Sequence, residues 1–97
     1  MKESPVKRVI LHSINGYDQK HDSLLQDLID KEILLFCAIG KDCELWHDMM
    51  DEFYVDDAIK RDFDLLTTWH ENESLQQVIE FTKNWDEFGG EIKVIEL

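Results

Sequence analysis

Ile33-Leu34-Leu35-Phe36-Cys37-Ala38-Ile39-Gly40 decides the fold of this chain. The run is apolar up to its closing glycine, with none of the polar alternation of a strand that has one wet face. Such a strand has to be covered on both faces, which is the mark of a parallel sheet packed between helices. In sheets of that kind any ligand site lies just beyond the C-terminal strand ends. The run therefore predicts both an architecture and a place to look for chemistry.

Working outward, three more apolar runs punctuate the sequence: Val9–Leu11, Phe63–Thr68 and Ile92–Leu97. The first belongs to a strand over Val6–Leu11, which ends in a turn marked by Asn15-Gly16. Asp22, or the capping-box spacing Ser23-x-x-Gln26, then opens a helix. Leu24, Leu25, Leu28 and Ile29 recur at helical spacing and carry it to about Glu32. The central strand, Ile33–Ile39, is followed by the turn Gly40-Lys41-Asp42, with Asp42 as a natural N-cap. Leu45, Trp46, Met49, Met50 and Phe53 form the apolar stripe of a second helix to about Tyr54. Val55–Asp62 reads as a loop or a short helical turn, and Phe63–Thr68 as the third strand. Asn72, or the box Ser74-x-x-Gln77, caps a third helix with the stripe Leu75, Val78, Ile79, Thr82 and Trp85. Gly89-Gly90 breaks the chain before a last strand over Ile92–Glu96, whose Lys93 and Glu96 suit a sheet edge.

The order β-α-β-α-β-α-β predicts a three-layer α/β/α domain with a four-stranded, mostly parallel sheet and right-handed crossovers. Strand order 2-1-3-4 is favoured, which sets the first helix on one face and the second and third on the other. The whole of residues 1–97 reads as one domain, with Met1–Pro5 as a short lead-in.

Composition narrows function by exclusion. Twenty-two acids against ten Lys and Arg give a formal charge of −12. Nucleic acid and anionic membranes need a cationic face, so neither is expected as a partner. Between Asp42 and Asp64 nine acids face only Lys60 and Arg61, a local net of −7. Glu44, Asp48, Asp51, Glu52, Asp56 and Asp57 are accordingly a candidate acidic docking surface for a basic protein, against the plainer reading of a solvated helix face. Two cysteines, no leader-like segment and no long apolar stretch predict a reduced, cytoplasmic protein.

Parallel strands would bring the loops His12–Gly16, Gly40–Cys43 and Trp69–Asn72 to one rim. The candidate rim site is His12, Ser13, Asn15, Lys41, Asp42, Cys43, Trp69 and His70. Three helix N-termini reach the same rim, where free N–H groups favour anions. Two histidines at strand ends could act as acid and base. Cys43 at the start of the second helix could have a lowered thiol pKa. Each residue has an ordinary alternative: half-exposed rim histidines bonded to backbone, a tolerated small residue at Cys43, and core packing for Trp46 and Trp85. His21 is expected in solvent.

Several chemistries are absent. No G-x-G-x-x-G follows the first strand, and no P-loop motif occurs anywhere. Cys37 and Cys43 lack dithiol spacing, and their loop lacks the arginine of a phosphatase-like cysteine site. The residues after the first strand are not the acidic pair of a receiver domain. Cys43 and His47 share helical spacing, but two ligands do not make a metal site. No metal and no cofactor is expected.

Leu35 through Trp46, Thr67-Thr68-Trp69-His70-Glu71-Asn72-Glu73-Ser74-Leu75 and Val78-Ile79-Glu80-Phe81 together resemble a family of small bacterial domains of unknown function. The resemblance spans about Lys31 to Trp85. It implies a stand-alone small cytosolic domain and carries over no activity. The leading expectation is a non-catalytic binding or regulatory module for a protein partner, monomeric or weakly dimeric through its last strand. The alternative is a small enzyme or ligand-binding domain working at the rim through His12, His70 and Cys43.

Overall fold

The computed structural model describes residues 6–56, 65–85 and 91–97. In chain order these form β1 (Val6–Ser13), a 3-10 turn (Gln19–His21), α1 (Asp22–Asp30), β2 (Leu35–Gly40), α2 (Cys43–Asp56), β3 (Leu66–His70), α3 (Leu75–Asn84) and β4 (Glu91–Glu96). Every strand pairing is parallel, so the predicted α/β sandwich with a parallel sheet is the fold observed. The lead-in Met1–Pro5, the stretch from Asp57 to Asp64 and the Gly89-Gly90 break lie outside the described residues. Val55 and Asp56, expected in a loop, complete α2. Among the described residues no helix is long and apolar enough to cross a membrane.

The strand order is β3-β2-β1-β4, which corrects the expected 2-1-3-4. The reason is burial. Leu35, Phe36, Cys37 and Ala38 of β2 are fully buried, as are Val9, Ile10 and Leu11 of β1. An order of 2-1-3-4 would have put β2, apolar on both faces, at a wet edge. The observed order gives both interior places to these two strands. It leaves the edges to β3, with Leu66 and Trp69 exposed, and to β4.

The helices are also distributed differently from the expectation. Leu25, Leu28 and Ile29 of α1 join Trp46 and Met50 of α2 over Val9, Leu11, Phe36 and Ala38. On the other face α3 alone packs, through Val78 with Leu75 and Ile79, over Ile10, Leu35, Cys37 and Ile39. Right-handed crossovers require this, because β1→β2→β3 steps one way and β3→β4 steps back.

Two devices hold the lone helix α3. Ser74 and Gln77 form the reciprocal capping box at its N-terminus, one of the two caps expected. At its C-terminus the nearly buried Arg8 of β1 donates from Nη1 to the carbonyls of Thr82 (3.0 Å) and Trp85 (2.9 Å). A guanidinium there satisfies end carbonyls and opposes the negative end of the helix dipole.

The ends of β1 and β2 meet at a tight joint. Gly40 has φ +98°, and a Cβ there would lie 2.2 Å from the backbone oxygen of Ser13. That oxygen accepts from Lys41 N at 2.9 Å, so neither strand end can back away. Gly40→Ala combines left-handed strain with a backbone clash and should lower stability by about 2 kcal/mol or more. Urea unfolding followed by tryptophan fluorescence measures it; a midpoint equal to that of the unaltered chain would contradict the joint.

Candidate functional site

Loops leaving the strand ends determine where a crevice can open. The loops after β1 and β2 run to α1 and α2 on one face, while the loop after β3 runs to α3 on the other. Adjacent loops therefore part at β2 and β3, and a crevice forms at such a switch point. A cavity of about 650 Å³ opens there, lined by Gly40, Asp42, Cys43, Glu44, Leu45, Glu71, Asn72 and Glu73. Asp42 (φ +60°) and Asn72 (φ +65°) turn the two loops apart, both being residue types that tolerate the left-handed region.

At the joint between β1 and β2 the rim is filled instead. Ser13 is buried, and its Oγ accepts from Gly16 N (3.1 Å) and from the indole N–H of Trp46 (2.9 Å). Tyr17 packs edge-on against Trp46 at 5.1 Å, and His21, expected in solvent, lies 5.2 Å from the same ring. Tyr17 OH donates to Asp22, and burial followed by this bond holds its phenol above the ordinary range. Asp42 was expected to cap α2. Its backbone oxygen accepts from Trp46 N, but its carboxylate accepts from Tyr17 N at 3.1 Å. Asn15, exposed, lines a separate 390 Å³ hollow with Tyr17 and Leu97.

The two rim histidines do not converge. His12 on β1 pairs with Glu96 of β4 at 3.1 Å. His70 on β3 lies 2.9 Å from Thr68 Oγ1 through Nε2 and 3.1 Å from Glu73 through Nδ1, with Phe81 packed beside its ring. β2 runs between them, so two strand spacings, about 9–10 Å, separate their backbones. His70 and Glu73 work as a clasp that ties the end of β3 to the start of α3.

Cys43 lines the crevice but is buried. Burial pushes its thiol up, opposed by the backbone N–H of His70 and reinforced by Glu71. Desolvation thus outweighs the helix dipole expected to lower it. The thiol of Cys37, buried beside Thr82, is raised by the same cause. Lys41 is exposed on the β2–α2 turn. Trp69 lies outside the crevice, on the outer strand, with its ring 4.6 Å from that of His47.

The crevice carries Asp42, Glu44, Glu71 and Glu73. Two helix N-termini contribute roughly half a positive charge each, short of the three carboxylates of Glu44, Glu71 and Glu73, while that of Asp42 is turned to Tyr17 N. The anion preference expected of the rim is therefore opposed at this crevice. Glu71 and Glu73 were missed because their role depends on β3 lying beside β2, which only the strand order reveals. Among the described residues no group of three or more His, Cys, Asp or Glu is placed to hold a metal ion.

Glu44, Asp48, Asp51 and Glu52 all lie exposed along α2. Asp56 ends the helix, and Asp57 lies outside the described residues.

The raised thiols set a sign for pH dependence. The folded chain keeps protons that the unfolded chain releases above the ordinary thiol value of 9.0, so this contribution is present below that pH and lost as pH rises past it. The urea midpoint should fall between pH 8 and pH 10, and less so in a Cys37→Ala, Cys43→Ala double variant. Ellman's reagent at pH 8 should label the native thiols at least about 100-fold more slowly than the unfolded chain. Rapid native labelling of Cys43 would contradict this account.

Neither curated proteins nor solved structures gave a match to the chain. Residues 1–91 match the family described as a domain of unknown function, DUF7684, and the chain belongs to that family.

Proposed function

We propose that this domain is a non-catalytic binding module whose acidic α2 face engages a basic protein partner. One observation carries the reading. From Cys43 to Asp56 the helix contains five acids and no Lys or Arg. Helix surfaces are ordinarily stabilised by opposite charges three or four residues apart, and like charges at that spacing cost a few tenths of a kcal/mol per pair. Glu44 and Asp48, and Asp48 and Glu52, are such like-charge pairs. Among the described residues no lysine or arginine bridges to any of these carboxylates.

The crevice extends the same potential. Glu44 belongs to both the helix face and the cavity lining, so negative charge is continuous from α2 to Glu71 and Glu73. A field of one sign beside a concave wall raises the encounter rate with an oppositely charged partner. The catalytic alternative draws less support, since His12, His70 and Cys43 are separately engaged and the thiol is held protonated.

The triple variant D48K/D51K/E52K alters only exposed side chains and should leave the fold intact by circular dichroism. Used as bait beside the unaltered chain, it should lose at least tenfold of a captured partner. The unaltered chain should release that partner between about 50 and 500 mM salt, where screening shortens from over 10 Å to a few ångström. Equal capture by both baits, or capture that ignores salt, would count against the acidic face.

A further inference from the structure

Both edges of the sheet are open among the described residues, and they are built differently. β4 alternates Glu91, Lys93 and Glu96 with its apolar residues, and charges on an edge strand discourage further pairing. β3 reads Leu-Thr-Thr-Trp-His, with no acid, lysine, arginine or proline. Among the described residues it is the edge without charged guards.

Its backbone is oriented to accept another strand. Leu66 N donates to Leu34 O at 3.0 Å, which turns the ladder groups of Leu66, Thr68 and His70 toward β2. Alternation then turns the N–H and C=O of Thr67 and Trp69 outward. Each face of this edge carries one open apolar side chain: Leu66 is 45% exposed on the α3 side, and Trp69 is 42% exposed on the α2 side. Trp69 packs at a tilt of 54° against His47, whose Nδ1 lies 3.0 Å from the carboxylate of Asp48. Glu71 follows directly beyond the strand end.

We infer that the outer edge of β3 receives an extended, basic segment of the protein partner as a fifth strand, an inference that rests on the binding reading above. The N–H and C=O groups of Thr67 and Trp69 pair with its backbone. The face of Trp69 takes an arginine or lysine of the segment, an arrangement favoured by the ring quadrupole. Asp48 and Glu71 receive the neighbouring cations. Charge selects the occupant: a second copy of this chain would bring another −12 to an edge already flanked by acids. Strand addition of this kind draws affinity from main-chain hydrogen bonds and specificity from alternate side chains.

The probe is an end-capped eight-residue peptide alternating arginine and valine. Its comparison is the same peptide N-methylated at alternate residues, which keeps the charge but removes the edge donors. Binding is measured by calorimetry, and amide exchange is followed residue by residue on the intact chain. The parent peptide should bind and slow exchange at Thr67 and Trp69 at least tenfold, with the N-methylated form at least tenfold weaker. Trp69→Ala should weaken the parent severalfold while the chain stays folded, since the ring is surface-exposed.

Equal binding of the two peptides without protection at Thr67 and Trp69 overturns the edge while leaving the acidic reading intact. Full protection persisting in D48K/D51K/E52K overturns the acidic reading while leaving the edge. No binding of the parent peptide, protection appearing at β4 instead, or concentration-dependent dimerisation that protects Thr67 and Trp69 without peptide each overturns the proposal.

Discussion

The complete burial of β2 is the constraint on which the other features rest. Leu35 through Ala38 contact no solvent on either face. Burial of that kind needs a strand on each side and a helix layer on each face. β1 and β3 supply the flanks, α1 and α2 one layer and α3 the other. With a single helix for one whole face, α3 has to be held accurately. The capping box at Ser74 fixes its start, the His70–Glu73 contact ties that start to β3, and Arg8 fixes its end. The polar groups nearest the crevice are thus consequences of covering an apolar strand.

The same constraint separates a filled joint in the rim from an open crevice. At β1 the Ser13 carbonyl and hydroxyl, Gly16, Lys41 and the Trp46 indole form a joint whose polar groups are satisfied internally. A buried polar network of that kind rigidifies, because leaving any member unpaired costs about 1–3 kcal/mol. Between β2 and β3 no such joint forms, since the two loops depart to opposite faces. Space is left there by topology, and acidic residues line it.

Much of this was legible in the sequence. Four strands, three helices, the parallel sheet, the edge position of the last strand and the Ser74 cap follow from apolar runs, helical spacing and turn residues. Strand order did not follow, although a clue was in hand: a strand without polar alternation belongs inside. The site suffered from the same gap. His12 and His70 both end strands, and only the order shows that β2 stands between them. For Cys43 the sequence offers a lowered thiol pKa at a helix start or a tolerated small residue. Its burial under the β3–α3 turn, which reverses the sign of the shift, depends on contacts distant in sequence.

Net charge by itself does not define a binding face; its distribution does. Of the cations in the described residues, Arg8 is nearly buried against the end of α3, Lys31 pairs with Asp27 on α1, and Lys93 sits on the guarded β4 edge. None lies on α2. Among the described residues no Lys or Arg bridges to the carboxylates of the helix that covers β2 and β3, and it lies beside a strand that carries no acid, lysine or arginine. Solubility alone would be served by acids spread over any surface. Here they lie along one helix, next to an uncharged edge strand with a surface tryptophan, the arrangement that the proposed strand addition would use.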